Sequence, residues 1–228
     1  MMSARRVTIW LGAIATALVL ASTGLQLIVR LTDHDVLLGL PRLFYLDEER
    51  NVPTAFSVLI LLIAARLLQL TAFARWKAAD RSAWYWALLS SGFVAMALDE
   101  ALQWHERLIP VMRTALGGAQ RLGLLANAWV LPAGALVCVL GIVFARFLWR
   151  LPARTRTAFL LSAAIYLGGA VGVEMPGGRW AELHGMENLT YLALATIEET
   201  MEMAGVILFI RSLMIYREQY CAAPESNS

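Results

Sequence analysis

In "ALDEALQWHERL", residues 97–108, the ionisable groups of Asp99, Glu100, His105 and Glu106 close an otherwise apolar run. Carboxylates beside an imidazole can hold a divalent metal ion, relay protons, or fix helices through buried hydrogen bonds. An ionisable side chain at bilayer depth costs at least roughly 2.5–3.5 kcal/mol on insertion scales, so such groups call for a role. Two further stretches carry the same signature: "GVEMPGG" with Glu174, and "TIEETMEMAG" with Glu198, Glu199 and Glu202. Glu198 and Glu202 are four apart and share a helix face, with Glu199 flanking it. On one continuous helix Asp99, Gln103 and Glu106 fall within an arc of roughly 60°, with Glu100 and His105 on either side. A change in helix geometry near Pro110 would bring His105 inward.

These residues must be positioned by membrane spans. The chain of 228 residues is 59% hydrophobic and 16% charged, against about 25% charged for a soluble domain. The expected fold is an all-α integral membrane bundle of six transmembrane helices, over about 7–29, 52–73, 83–104, 128–149, 157–175 and 189–213. They form a single domain over 1–216, followed by a polar cytoplasmic tail at 217–228. The first block is too long for a signal-peptide core and lacks a clear cleavage site. Arg5, Arg6, Arg75, Lys77, Arg81, Arg150, Arg154, Arg156, Arg211 and Arg217 fall on one side if six spans are counted. The positive-inside rule makes that side cytoplasmic and puts both termini there. Counting from these basic anchors at about 1.5 Å per residue, Asp99 and Glu174 each lie about 27 Å deep, and Glu198 and Glu202 about 20 and 14 Å. Most of the acids then occupy the outer half of a hydrocarbon core about 30 Å thick. Gly168 and Gly172, spaced four apart, suit close helix packing.

The rim of this site is expected to include Asp47, Glu48 and Asn51, ahead of the second span, and His184 and Glu187 in "ELHGMEN". Asn51 also reads as a helix cap, with Pro53 in the first turn. His34 reads as a surface residue. Arg66, the only mid-span base, lies toward the cytoplasmic end of its span, and Arg107 and Arg179 are placed to reach the outer rim. Cys138 and Cys221 belong to different membrane levels and do not suggest a disulfide.

Six or more acids in low dielectric cannot all be ionised without counter-charge. The leading expectation is one or two divalent metals, Fe, Mn or Zn, held by Asp99, Glu100, His105, Glu106, Glu174, Glu198, Glu199 and Glu202. In such a site the ion would act on a lipid-like or quinone-like substrate. A proton- or cation-coupled transporter using the same acids as relays is the alternative, and a non-catalytic subunit of a membrane complex is the third. The layout resembles ferritin-like di-metal bundles in principle, though the Glu-x-x-His pairs of those proteins are missing. Desaturase, zinc-protease and serine-hydrolase motifs are absent. No basic stripe suggests nucleic-acid binding. Substrate and oligomeric state are left open.

One resemblance is more specific. "LDEERNVPTAFS" at 46–57, "LDEALQWHERL" and "EETMEMAG" together resemble a family of multipass proteins of the bacterial inner membrane. Its pattern runs Leu-Asp-x-Glu-x-Asn-x-Pro-Thr, then Asp-Glu with His-Glu five residues on, then Glu-Glu-x-x-Glu. The resemblance implies the multipass architecture, the inner-membrane location and the choice of acids, and it implies no reaction.

Overall fold

The computed structural model describes residues 3–32, 39–117 and 123–221, and among them every regular element is helical. His34, Arg121 and the tail beyond 221 lie outside the described residues. The long helices are α1 (Ala4–Thr32), α3 (Val52–Lys77), α4 (Ala83–Leu102), α6 (Val130–Arg150), α7 (Ala153–Leu167) and α9 (Leu189–Tyr220). Three short ones, α2 (Leu40–Phe44), α5 (Trp104–Ala115) and α8 (Glu174–His184), lie at one end of the bundle. A π-helical segment, Gly168–Val173, joins α7 to α8 without a break.

Four stretches are long and apolar enough to cross a membrane: Ala4–Leu31, Val52–Lys77, Val130–Arg150 and the joined Ala153–His184. The two remaining long helices, α4 and α9, are the ones whose apolar runs are interrupted by acids. All six expected spans therefore coincide with helices, but only four have the composition of simple lipid-exposed ones.

Two of the helices differ from the sequence expectation in ways that shape the site. The third span was expected to run on through Gln103. Instead α4 stops at Leu102, and Gln103 takes a left-handed conformation (φ 57°) while its N–H bonds Asp99 O at 2.7 Å. Gln103 therefore does not share a helical arc with Asp99 and Glu106, since that arc needs one unbroken helix. Pro110 sits inside α5 and is not the break. The fifth span continues well past residue 175, to His184, through the π segment.

Packing centres on α9, which lies against α1, α3 and α7. Lipid tails are as apolar as leucine, so helices in a bilayer associate through close van der Waals fit and small residues. Gly205 and Gly169 provide that fit. A Cβ at Gly205 would lie 2.8 Å from the Tyr166 backbone N, and one at Gly169 would lie 2.7 Å from Glu198 O. Gly172, expected to share this role, has nothing closer than 3.9 Å, because the π segment turns it away. Toward the far end of the bundle Phe209 stacks on Phe93 of α4 and tilts against Phe159 of α7. Trp86, fully buried, meets Phe147 of α6 edge-on and Tyr216 of α9.

Candidate functional site: a carboxylate-lined cavity

The C-terminal end of α4 and the N-terminal ends of α3, α5 and α9 converge on one cavity of about 320 Å³. Each side chain reaches it for a local reason. Asn51 accepts a hydrogen bond from Thr54 N and so starts α3, which leaves residues 45–51 as a loop across the cavity mouth. That loop is pinned to α1 by the Leu46 N–H, which donates to Ser22 Oγ at 3.1 Å. Asp47 turns inward and accepts from Tyr191 Oη at 3.1 Å. The left-handed Gln103 folds α5 back so that His105 returns to Asp99. The backbone N–H of His105 donates to Asp99 Oδ1, and its Nδ1 lies 2.9 Å from Asp99 Oδ2.

All eight residues expected to share the site line this one cavity: Asp99, Glu100, His105, Glu106, Glu174, Glu198, Glu199 and Glu202. Of the expected rim, Asp47 lines it. Glu48 does not, Asn51 serves as the cap, and His184 stacks on Trp180 at 4.0 Å on an exposed surface with Glu187. Sequence reasoning missed Glu49. Its side chain is only 18% exposed, and its Oε1 lies 3.6 Å from His105 Nε2. Its other oxygen, Oε2, is buried with no hydrogen-bond partner. Asn127 and Trp129, ahead of α6, were missed too. Both donate to Glu174 Oε1, Trp129 from Nε1 at 3.3 Å. An Asn-x-Trp pair opening an apolar run was the only signal for them.

Among the described residues no Lys or Arg lines the cavity. Arg66 is exposed and bonds Gln69, and neither Arg107 nor Arg179 lines the cavity. Arg113 stays outside, where it clasps Ala126 O and Glu182 and ties α5 to α8. The lining thus carries nine carboxyl groups and one imidazole. Glu174, Glu198, Glu199 and Glu202 share this lining with Tyr166.

The loop groups show the electrostatic consequence. Burial pushes the Asp47 carboxyl up to about 6, against the lowering pull of its tyrosine hydrogen bonds. Burial and then the Glu106 charge raise Glu49 to about 7, with His105 pulling it down. For His105 burial works downward, but the Asp99 hydrogen bond and charge, with Glu49 and Glu174, outweigh it and hold the imidazole up to about 9.

A family model matches residues 9–216, nearly the whole chain. The chain belongs to the family described as a domain of unknown function, DUF8692. The DUF8692 match spans every helix that contributes an acid to the cavity, in keeping with the expected membership of an uncharacterised family. No curated protein and no solved structure matches the chain.

Chemically, His105 is set up as a ligand. A histidine that binds metal through Nε2 almost always donates its Nδ1–H to a carboxylate or carbonyl, which fixes the tautomer and the ring orientation. Asp99 is placed to accept that bond. Among the described residues, Glu49, His105 and Glu106 offer ligand atoms that all lie within 4.8 Å of one another.

Proposed function

We propose that this chain is a six-span protein of the bacterial inner membrane, with one domain over 1–216 and both termini cytoplasmic. In this reading its cavity binds a divalent metal ion at Glu49, His105 and Glu106. The arginine distribution supports the topology, and the six long helices supply the spans. One observation carries the metal reading. His105 is locked by Asp99 at Nδ1, and its Nε2 faces a buried glutamate whose second oxygen has no partner. A buried unpaired carboxylate oxygen is costly, and a cation is the natural partner for it. Two ligands on one tetrahedral ion, each about 2.0–2.2 Å from it, sit roughly 3.3–3.6 Å apart. His105 Nε2 and Glu49 Oε1, at 3.6 Å, already have that spacing. Glu106 completes the set by side-chain adjustment. One imidazole with two carboxylates suits Fe, Mn or Zn.

When bound, such an ion supplies Lewis acidity for activating water or an oxygen-bearing substrate. The remaining residues do the positioning. Asp99 orients His105, the Asp47–Tyr191 and Leu46–Ser22 bonds hold the mouth loop, and Asn127 and Trp129 fix Glu174. Apolar Met96, Ile109 and Ala195 share the lining with the acids. That mixture suits a lipid-like or quinone-like substrate with a polar head.

A proton relay is the second reading, and a different observation favours it. Glu174, Glu198, Glu199 and Glu202 line the cavity together with Tyr166, a row of groups along which protons can pass. Elemental analysis of protein purified in mild detergent separates the two. The metal reading expects about one ion per chain in wild type and background in Glu49→Gln and His105→Gln. Background metal in all three, with proton flux into vesicles that Glu198→Gln abolishes, would establish the relay instead.

A further inference from the structure

At the opposite end of the bundle a second cavity, about 540 Å³, opens between the end of α3, the start of α4 and the ends of α6 and α9. Its charged lining is Arg75, Arg81, Arg146 and Arg150 against Asp80 alone, four guanidinium groups less one carboxylate, or a net +3. Asp80 is already engaged by Arg75 at 3.4 Å. Among the described residues, Arg81, Arg146 and Arg150 have no carboxylate within ion-pairing distance. Arg75 also donates to Tyr216 Oη at 2.6 Å, and its Nε is buried without a partner.

The position of this cavity is that of lipid headgroups. Trp76, Trp84 and Trp149 stand at the same end, 69%, 49% and 71% exposed. Tryptophans gather at the membrane–water interface, where one side is apolar and the other wet. The cavity wall is aromatic as well, with Trp84 stacked on Tyr85 and Tyr85 stacked on Phe147. Above it, toward mid-membrane, every residue of 135–143 in α6 is exposed, so this helix stands off the bundle on all sides there. Ile142, at 78%, and Leu136 and Val139 beyond it form a bare apolar strip rising from the arginines.

We infer that this cavity is a binding site for an anionic phospholipid, with the phosphate among Arg81, Arg146 and Arg150 and the acyl chains along the uncovered length of α6. A net positive pocket between helix ends attracts an anionic headgroup, and each basic residue near the surface adds to that attraction. The arginine fork suits phosphate oxygens. A free phosphate would use the arginines but would leave the apolar strip bare. The occupant that satisfies both is a lipid.

The full chain, purified in mild detergent and reconstituted with phosphatidylcholine alone or with phosphatidylglycerol added, provides the test. Native mass spectrometry should show wild type retaining phosphatidylglycerol, with a rise in melting temperature that phosphatidylcholine does not give. Arg146→Gln/Arg150→Gln should cut that retention roughly tenfold or more. Arg5→Gln/Arg6→Gln, which removes charge near an exposed terminus, should retain lipid as wild type does. Equal loss in both pairs would reduce the effect to general attraction and overturn the site. An equal melting shift with inorganic phosphate would overturn the lipid as occupant. A dimer that carries no lipid would show that a second copy covers α6, and would overturn it too.

Discussion

Nine carboxyl groups crowd the lining of one cavity with a single imidazole, whereas four arginines at the other end share theirs with one aspartate. The acidic end departs from regular helix at almost every point that matters. Gln103 is left-handed, residues 168–173 are π-helical, and a capped loop carries Asp47 and Glu49. The basic end has one such departure, the left-handed Ala79 (φ 54°) in the turn from α3 to α4, and otherwise regular helix termini. Long arginine side chains reach the interface from any helix end and keep their heads wet. Short carboxylates have no such reach, so the backbone itself must be bent to bring them together. Irregular backbone within membrane depth is tolerated where it lines a polar cavity. The comparison marks the acidic end as the place where geometry is demanding and the basic end as the place where charge alone suffices.

The sharpest way to break this comparison is to exchange the phenotypes of the two ends. His105→Gln or Glu49→Gln should lower bound metal at least tenfold by elemental analysis, the scale on which losing an orienting or ligating contact acts. Arg146→Gln/Arg150→Gln should leave metal content unchanged. If the arginine pair lost metal as well, the ends would not be independent.

Next in size is close packing. Gly169→Leu should destabilise the bundle by about 1–3 kcal/mol, because even its Cβ would meet the Glu198 carbonyl. Gly172→Ala should change the melting temperature little, since its Cβ would meet nothing closer than 3.9 Å. A comparable loss at Gly172 would mean that the π segment is not present in the membrane.

A pH profile comes third. Asp47 is raised from 3.8 to about 6, Glu49 from 4.5 to about 7 and His105 from 6.5 to about 9. In each case the folded chain binds more protons than the unfolded one, so stability falls as pH rises through each interval. The three windows follow one another, with Glu49 overlapping both of the others, and run the same way. Metal-free protein should therefore melt highest at mildly acidic pH and lose stability up to about pH 9. Metal affinity should run the opposite way, since the ion displaces those protons. A flat melting curve between pH 5 and 9 in metal-free protein would show that these groups are solvated.

The smallest effects should come from Glu48→Gln and His184→Gln, which alter residues outside the cavity lining. Both should keep wild-type metal content and change stability by less than about 0.5 kcal/mol.

The acids themselves were legible because ionisable residues are costly in apolar helices, so Asp99, Glu174 and Glu198 stand out against Leu and Val. Helix period then placed Glu198 with Glu202. The choice between Glu48 and Glu49 was not legible. In a loop no period says which of two neighbours turns inward, and the Asn51 cap and the Ser22 anchor settle that only in three dimensions. The stop at Gln103 was hidden for another reason. Glutamine is a fair helix former, and Pro110, the visible breaker, is accommodated inside α5. The basic cavity was in plain view as residues, but Arg75, Arg81 and Arg150 were read only as topology signals and Arg146 was not singled out.

The π segment makes the spacing of this chain part of its chemistry. A π turn holds one residue more than the α turn it replaces, so it behaves as an insertion absorbed within an otherwise continuous rod. If the same residues 168–173 wound as an α-helix with none removed, everything after them would rotate by about 100° relative to α7. Glu174 would swing away from Asn127 and Trp129, and α8 would present a different face to Arg113. Any point substitution of Glu174 keeps that register, whereas loss of the π turn would forfeit it with every acid still in place. The glycine run, which carries no acid, thus sets where the acid after it points.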